Sequence, residues 1–545
     1  MKSDLDTTQH NSASTSRPTD WYKDTVIYQV YPRSFQDTNG DGVGDIPGIT
    51  LRLEHLADLG VDTVWLSPVF KSPMKDFGYD VSDYCDIDPL FGTLSDFDEL
   101  LKKAHSLGLK VMVDQVLSHT SDEHPWFLES RSNRNNPKSN WYVWADPKDD
   151  GSPPNNWMSI FGGSAWQWDT RRRQYYLHNF LEEQPDLNFH EPEVQEALLE
   201  TMRFWLERGV DGFRMDTVNY YFHDAKLRDN PPNIPSLKQP VEKRSHSTYD
   251  HQHHFYDKSQ PDNLAWLTRM RSLCDQYNAV LLGEVGCEWQ IERMVEYTEG
   301  GDRLHTAYSF ALFGPDHSAQ FIREQLGPFV EKQNDTWPCW ATSNHDVRRL
   351  ASRWLAKGDN EASRQALEGY LIMLATLFGT PCIYQGEELG LTEADLAFED
   401  LVDPPGITFW PDYKGRDGCR TPMVWDSSKH GAFSENKPWL PVPEEHLTRN
   451  YKTQFDDENS LLNFYKRVLT WRKETPVARR GSFEFLDIAP ELLAFERVLD
   501  QTKLTVLINL SDEDLEIPEL VGEIHFGEAV NTLKPGGYQV RLSAL

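Results

Sequence analysis

Six cysteines in 545 residues, Cys85, Cys274, Cys287, Cys339, Cys382 and Cys419, are scattered and form no C-x-x-C pair. That spacing indicates neither a zinc site nor a disulfide framework. No stretch approaches the roughly 20 apolar residues needed to span a bilayer. The opening segment, MKSDLDTTQHNSASTSRPTD, is polar and holds no apolar signal core. A soluble chain in a reducing, cytoplasmic compartment is expected. Basic residues are also scarce: 54 Lys and Arg against 86 Asp and Glu leave a formal charge of −32. This balance argues against nucleic acid or an anionic membrane as partner, since phosphates reward Lys and Arg. It favours solubility and repels acidic substrates.

Hydrophobic residues make up 39% of the chain and aromatics 12%, enough for a large core. The length calls for two or three domains. Eighteen Trp are present; most are expected in the core, the remainder on faces suited to stacking on sugars. Residues 1–19 read as a flexible tail. Short β-rich runs then recur at 26–30, 63–67, 109–116, 211–216, 279–285, 305–310, 338–346 and 380–385, with helical periodicity between most of them, as in 94–107 and 193–209. Eight strands alternating with helices predict an α/β chain folded as a (β/α)8 TIM barrel, over 20–118 and 185–468. The gap between the third and fourth runs is irregular and Trp-rich, which predicts an inserted domain at 119–184. A second excursion, 219–263, is expected as an extended loop after strand four. From 469 to 545 alternating strands predict a C-terminal antiparallel β-sandwich.

Three carboxylates fall where predicted strands meet their loops: Asp216 in GFRMD, Glu284 in VLLGEV and Asp346 in TSNHD. In one barrel they share one mouth. Retaining cleavage of a glycosidic bond needs a carboxylate nucleophile and a carboxylic acid about 5–5.5 Å apart, and strands four and five can place Asp216 and Glu284 so. Arg214, two residues before Asp216, points to the same face and favours its ionised form. Leu282 and Val285 beside Glu284 would raise its pKa toward acid duty. His345 and Asp346 could hold sugar hydroxyls and stabilise the oxocarbenium-like transition state. The run DTNGDGVGD supplies oxygen donors from Asp37, Asn39, Asp41, the Val43 carbonyl and Asp45, a set suited to Ca²⁺ or Mg²⁺. Its twelfth position is Gly48 rather than Glu, unlike an EF-hand. His251, His253 and His254 in HQHH are expected to be solvated or to line a pocket entrance.

With these motifs in order over 21–430, the chain resembles an α-glucosidase of glycoside hydrolase family 13, the α-amylase superfamily, in its oligo-1,6-glucosidase and maltase branch. The resemblance implies Asp216 as nucleophile, Glu284 as acid/base and Asp346 as transition-state stabiliser, with Arg214 and His345 beside them. DQVLSH contributes His119, a sugar-binding histidine, although Ser118 stands where the family usually has Asn. QPDLN at 184–188 and GTPCIYQGEE at 379–388 match further motifs of that branch. Asp76 and Tyr79 in KDFGYD and Arg416 in KGRDGCR imply an Asp–Arg bridge sealing a pocket for one terminal glucose, with the Tyr stacked on its ring. Thr217 after the nucleophile implies a preference for α-1,4 over α-1,6 bonds. The metal of the 37–45 loop is then structural. The activity implied is exo-action on maltose-like α-glucosides, with transglucosylation capacity. A sucrose-active transglucosidase or isomerase and an oligo-1,6-glucosidase are the alternatives within the class. An inactive sugar-binding or transporter-associated relative is the alternative outside it. The partner expected is a short oligosaccharide, and the chain a monomer or homodimer.

Overall fold

In the computed structural model, which describes residues 20–237, 247–355 and 361–545, eight short runs form parallel strands: β1 Ile27–Val30, β2 Thr63–Leu66, β3 Lys110–Gln115, β4 Gly212–Met215, β5 Val280–Val285, β6 Thr306–Ser309, β7 Cys339–Ala341 and β8 Thr380–Tyr384. The tail expected over 1–19, and residues 238–246 of the second excursion, lie outside the described residues. The hydrogen-bonded order runs β6-β5-β4-β3-β2-β1-β8-β7. A parallel bridge between Ala307 and Pro338 joins the two outer strands and closes the barrel. Helices follow the strands in turn: α1 Ile46–Leu59, α2 Leu94–Ser106, α3 Pro192–Arg208, α4 Asn263–Asp275, α5 Gln290–Thr298, α6 Ala319–Glu331, α7 Glu361–Thr376 and α8 Leu461–Glu474. Their limits have local causes. Thr93 and Asp96 form a capping box on α2, and α1 and α3 end on Gly60 and Gly209 in left-handed conformation.

These strands are buried on both faces, so the period of two decides what enters the barrel rather than what meets water. Met112, Val280, Leu282, Cys339 and Cys382 belong to the inner core, whereas Val111, Val113, Leu281 and Val285 pack outward toward the helices. One step of two toward the C-terminal ends, the inward positions turn polar: Asp114 after Met112, Glu284 after Leu282. The register pairs Asp114 with Arg214 and Glu284 with Tyr308. The seventh strand is shorter than the run 338–346, because Asn344 Oδ1 accepts from the Asp346 N–H in a turn and takes the chain out of the ladder.

Between β3 and β4 lies a three-stranded antiparallel sheet of Trp144–Ala145, Gln174–Leu177 and Trp166–Asp169. After the barrel comes a five-stranded antiparallel sheet, ordered Ser482–Phe485, Leu492–Leu499, Thr502–Asn509, Tyr538–Ala544 and Glu523–Gly527. A pair of two-residue strands, Leu515–Glu516 and Thr532–Leu533, lies beside it in sequence. The chain from 469 to 480 is helical, in α8 and the short helix Pro476–Arg480.

Candidate active site

At the C-terminal ends of the strands a cavity of about 200 Å³ is lined by Asp76, Tyr79, His119, Asp216, Thr217, Glu284, Asp346 and Arg416. Eight residues predicted for the site therefore share one space. Ile160, Phe161, Phe180, Tyr220, Gly286 and Phe310 complete the wall. Among the described residues no tryptophan lines this cavity: Trp65, Trp157, Trp205 and Trp266 are buried in cores, and the aromatic faces it offers are Tyr, Phe and His. Arg214 and His345 stand behind the wall rather than in it.

Arg214 is fully buried and forks between three carboxylates. Its Nη1 lies 2.6 Å from Asp216 Oδ1 and 2.7 Å from Asp114 Oδ1, and its Nη2 lies 2.6 Å from Glu284 Oε1. The Tyr308 hydroxyl accepts from Arg214 at 2.8 Å and donates to Glu284 Oε1 at 3.1 Å. Burial pushes both reactive acids up, Glu284 to about 8 and Asp216 to about 7, with Arg214 pulling each back. Burial thus outweighs the ionising effect that Arg214 was expected to exert on Asp216.

Thr217 adopts φ 41°, an uncommon value for a β-branched residue. The turn lets its N–H donate to Glu284 Oε2 at 3.1 Å while its hydroxyl donates to Asp216 Oδ2 at 3.2 Å. Ser118 Oγ lies 2.9 Å from the Thr217 hydroxyl and 2.9 Å from His119 Nδ1. In this chain Ser118 therefore links the histidine to the threonine. Burial lowers His119 to about 4, so its ring is neutral at pH 7.

The far end of the cavity is closed by charge. Arg416 Nη2 lies 2.8 Å from Asp76 Oδ1 and 2.7 Å from Asp403 Oδ1, and Nη1 lies 3.2 Å from Asp346 Oδ1. Arg420 adds a contact to Asp346 at 2.9 Å. Burial opposes ionisation of Asp346, but His345, Arg416 and Arg420 overcome it and hold the carboxyl well below its usual range. Gln184, from QPDLN, donates to Asp76 Oδ2 at 3.2 Å. Tyr79 stacks on His345 with ring centroids 5.4 Å apart and planes 1° from parallel. Its hydroxyl lies 2.7 Å from His345 Nε2 and donates to Asp114 at 3.1 Å. His345 thus backs the tyrosine that faces the cavity.

Asp114, Tyr308 and Arg420 were not singled out in the sequence. Asp114 had a signal, an acid at an inward position of a strand, one residue before its end. Phe161 and Phe180 had none, because the segment carrying them is aperiodic.

Among the described residues no group of three or more His, Cys, Asp or Glu side chains is gathered to hold a metal ion. In the 37–45 loop, Asp37 accepts from the Asn39, Gly40 and Gly42 N–H groups, and Asp41 from that of Val43. Asp45 caps α1 through Gly48 and accepts from Thr38. The donor set is all oxygen, which suits a hard divalent cation, and both Asp41 oxygens, each holding one hydrogen bond, can take a further partner. Asp37 also accepts from Ser434 Oγ at 2.6 Å, which ties the loop to the segment that follows the barrel mouth.

A family model described as alpha amylase, catalytic domain, matches residues 29–481. A probable alpha-glucosidase of Rhizobium meliloti is 56% identical over 499 residues, covering 91% of this chain and 90% of that protein. The crystal structure of XgtA, an alpha-glucosyl transfer enzyme, superposes with TM-score 0.91 at 50% identity, covering 97% of this chain and 100% of its own. The trehalulose synthase MutB of Pseudomonas mesoacidophila MX-45 superposes with TM-score 0.85 at 31% identity over 96% and 99% of the two chains.

Proposed function

Because the chain belongs to the α-amylase family of glycoside hydrolases, we propose that it is a retaining exo-α-glucosidase that removes one glucose at a time from short α-glucosides, maltose-like α-1,4 bonds preferred. The observation that carries this reading is the single guanidinium of Arg214 held 2.6 Å from both Asp216 and Glu284. One fork spanning both acids is in keeping with the separation of about 5–5.5 Å that retention uses. Asp216 attacks the anomeric carbon while Glu284 protonates the departing oxygen, giving a covalent glucosyl ester. Water, deprotonated by Glu284, then releases glucose with its configuration retained. Asp346 stays ionised beside the ring and stabilises developing positive charge. The Asp76–Arg416 bridge supports exo-action, because a chain cannot extend past it. Thr217 supports α-1,4 preference.

A sugar hydroxyl in place of water gives transfer. The likeness to an alpha-glucosyl transfer enzyme and to a trehalulose synthase fits this second outcome, while the likeness to a probable alpha-glucosidase keeps hydrolysis the leading reading. We assign the 37–45 loop to Ca²⁺, held by Asp37, Asn39, Asp41, the Val43 carbonyl and Asp45, where it would brace the loop against 434–438. A reducing cytoplasm suits six free cysteines, and no helix among the described residues is long and apolar enough to cross a membrane.

The test is glucose release from p-nitrophenyl α-glucoside and from maltose by the wild type and by Asp216→Asn, with sucrose products resolved by chromatography. Glucose formed by wild type, and a variant slower by about 10⁴-fold, is the expected outcome. An inactive wild type or an undiminished variant rejects the reading.

A further inference from the structure

The loop after β4 contains a buried ammonium that the catalytic scheme does not use. Lys258 is 4% exposed. Its Nζ donates to Tyr249 Oη at 2.6 Å, to Tyr220 Oη at 3.0 Å and to the Gly286 carbonyl at 3.1 Å. An ammonium has three N–H donors, and all three are spent. Burying a charge is costly unless it is fully bonded, and these oxygens come from separate segments of the chain. Tyr220 follows the nucleophile strand, Gly286 follows Glu284 by two residues, and both line the cavity.

The neighbourhood is closed by complementary bonds. Asn219 Nδ2 donates to the Gly286 carbonyl at 3.1 Å, and the Gly286 N–H donates to Asn219 Oδ1 at 3.1 Å. Both lone pairs of the Gly286 carbonyl are thereby occupied. Tyr249 lies flat on His254, centroids 3.6 Å apart, and His254 Nδ1 pairs with Asp257 at 2.5 Å. His254 is therefore packed and bonded, while His253 faces Glu288 at 3.2 Å. On the cavity side the Tyr220 ring meets Phe180 of the inserted segment. Lys258 thus ties Tyr249 and Tyr220, whose hydroxyls lie 2.9 Å apart, to the Gly286 carbonyl in the wall beside Glu284.

We infer that Lys258 is a positioning residue that builds the aglycone side of the pocket, setting Tyr220 and Gly286 against the sugar that leaves. This rests on the α-glucosidase reading and specifies its leaving-group side. The ligand class is a hydroxyl-bearing leaving unit, a second hexose, whose oxygens need a wall of fixed polar groups. A flat aryl leaving group without sugar hydroxyls needs it far less.

The experiment compares kcat/KM on maltose and on p-nitrophenyl α-glucoside for wild type and Lys258→Met. Loss of the ammonium leaves two hydroxyls and a carbonyl short of a donor. We expect maltose to fall about 10-fold or more, mainly through KM, with the aryl glucoside falling less than about 3-fold. Equal losses on both substrates, or none, overturn the inference. If Lys258→Met does not fold, Lys258→Ala is assayed with and without n-propylammonium, which restores the missing atoms. Recovery of maltose activity ahead of aryl activity supports the role, and its absence overturns it. A wild type that releases glucose from neither substrate would instead reject the proposed function and leave the wall without a reaction to serve.

Discussion

Arg214 and Arg420 at the C-terminal end of the barrel, and Arg472 and Arg497 at the opposite end, are each no more than 1% exposed. Their partners differ. At the mouth the guanidinium groups meet carboxylates: Asp114, Asp216 and Glu284 around Arg214, Asp346 beside Arg420. At the floor they meet carbonyls. Arg497 donates to Thr376, Leu377, Ala478, Arg479 and Gly481, and Arg472 to Ala375, Gly379 and Asp24. Burial lowers Arg497 to about 9 and Arg472 to about 10, whereas the acids around Arg214 hold it well above its usual value. The same side chain therefore sets protonation at one end and fills the orphan carbonyls of a helix end at the other. A barrel that keeps reactivity at the C-terminal face and stability at the N-terminal face is expected to divide its cations this way.

Arg214→Met should give the largest effect. Three buried acids lose their shared cation, so kcat on maltose is expected to fall about 10³-fold. Stability falls by about 3–5 kcal/mol at neutral pH. The stability loss should shrink as pH drops, because the orphaned carboxyls then take up protons. Glucose release and thermal melts across pH measure both. Arg497→Met makes the opposite trade. Several carbonyls at the end of α7 lose their donor, costing about 2–3 kcal/mol, while kcat per folded molecule stays within about 2-fold. A catalytic defect in Arg497→Met, with stability intact, would erase the distinction between the two ends.

The mouth should also announce itself in pH dependence. Asp216 must be ionised to attack, so kcat/KM rises as its proton leaves near about 7. Glu284 must be protonated to donate, so kcat/KM falls as its proton leaves near about 8. A narrow bell results, with apparent values that belong to the pair sharing Arg214. Arg497→Met should leave the bell where it is, since its guanidinium faces the other end. A flat profile between pH 6 and 9 would remove the acid/base assignment.

The barrel was legible because most of its strands are short apolar runs followed by a stretch of helical period, so periodicity marks both. The acids were legible because Asp216, Glu284 and Asp346 fall at the ends of such runs. What could not be read depends on contacts between distant segments. Phe161, Phe180 and Tyr220 line the pocket from aperiodic loops. Most tryptophans were expected in the core, and Trp205 stacked on Phe70 is an example; none of the remainder lines the cavity among the described residues. His345 reads as a substrate contact from its place beside Asp346, yet beyond the strand the turn at 344–346 leaves its ring stacked on Tyr79 and outside the cavity lining. The ionisation of Asp216 was judged from Arg214 alone, and burial, which a sequence does not disclose, carries more weight.

The smallest predicted effect tests how far the electrostatics of the mouth extend. Ser118 bears no charge and does not line the cavity, but its hydroxyl lies 2.9 Å from both His119 Nδ1 and Thr217 Oγ1. Thr217 in turn donates to Asp216 Oδ2 at 3.2 Å. Removing the serine hydroxyl frees the threonine to rotate and weakens its hydrogen bond to the Asp216 carboxylate, at a cost of about 0.5–1.5 kcal/mol. Ser118→Ala should therefore lower kcat by about 2–10-fold and raise the pH of the acid limb, since Asp216 loses support for its charge. Arg214, still 2.6 Å away, keeps the nucleophile working. Ser118→Thr retains the hydroxyl and should restore the limb. If Ser118→Ala lowers kcat without moving the acid limb, the serine acts by packing alone and the charge network ends at Thr217.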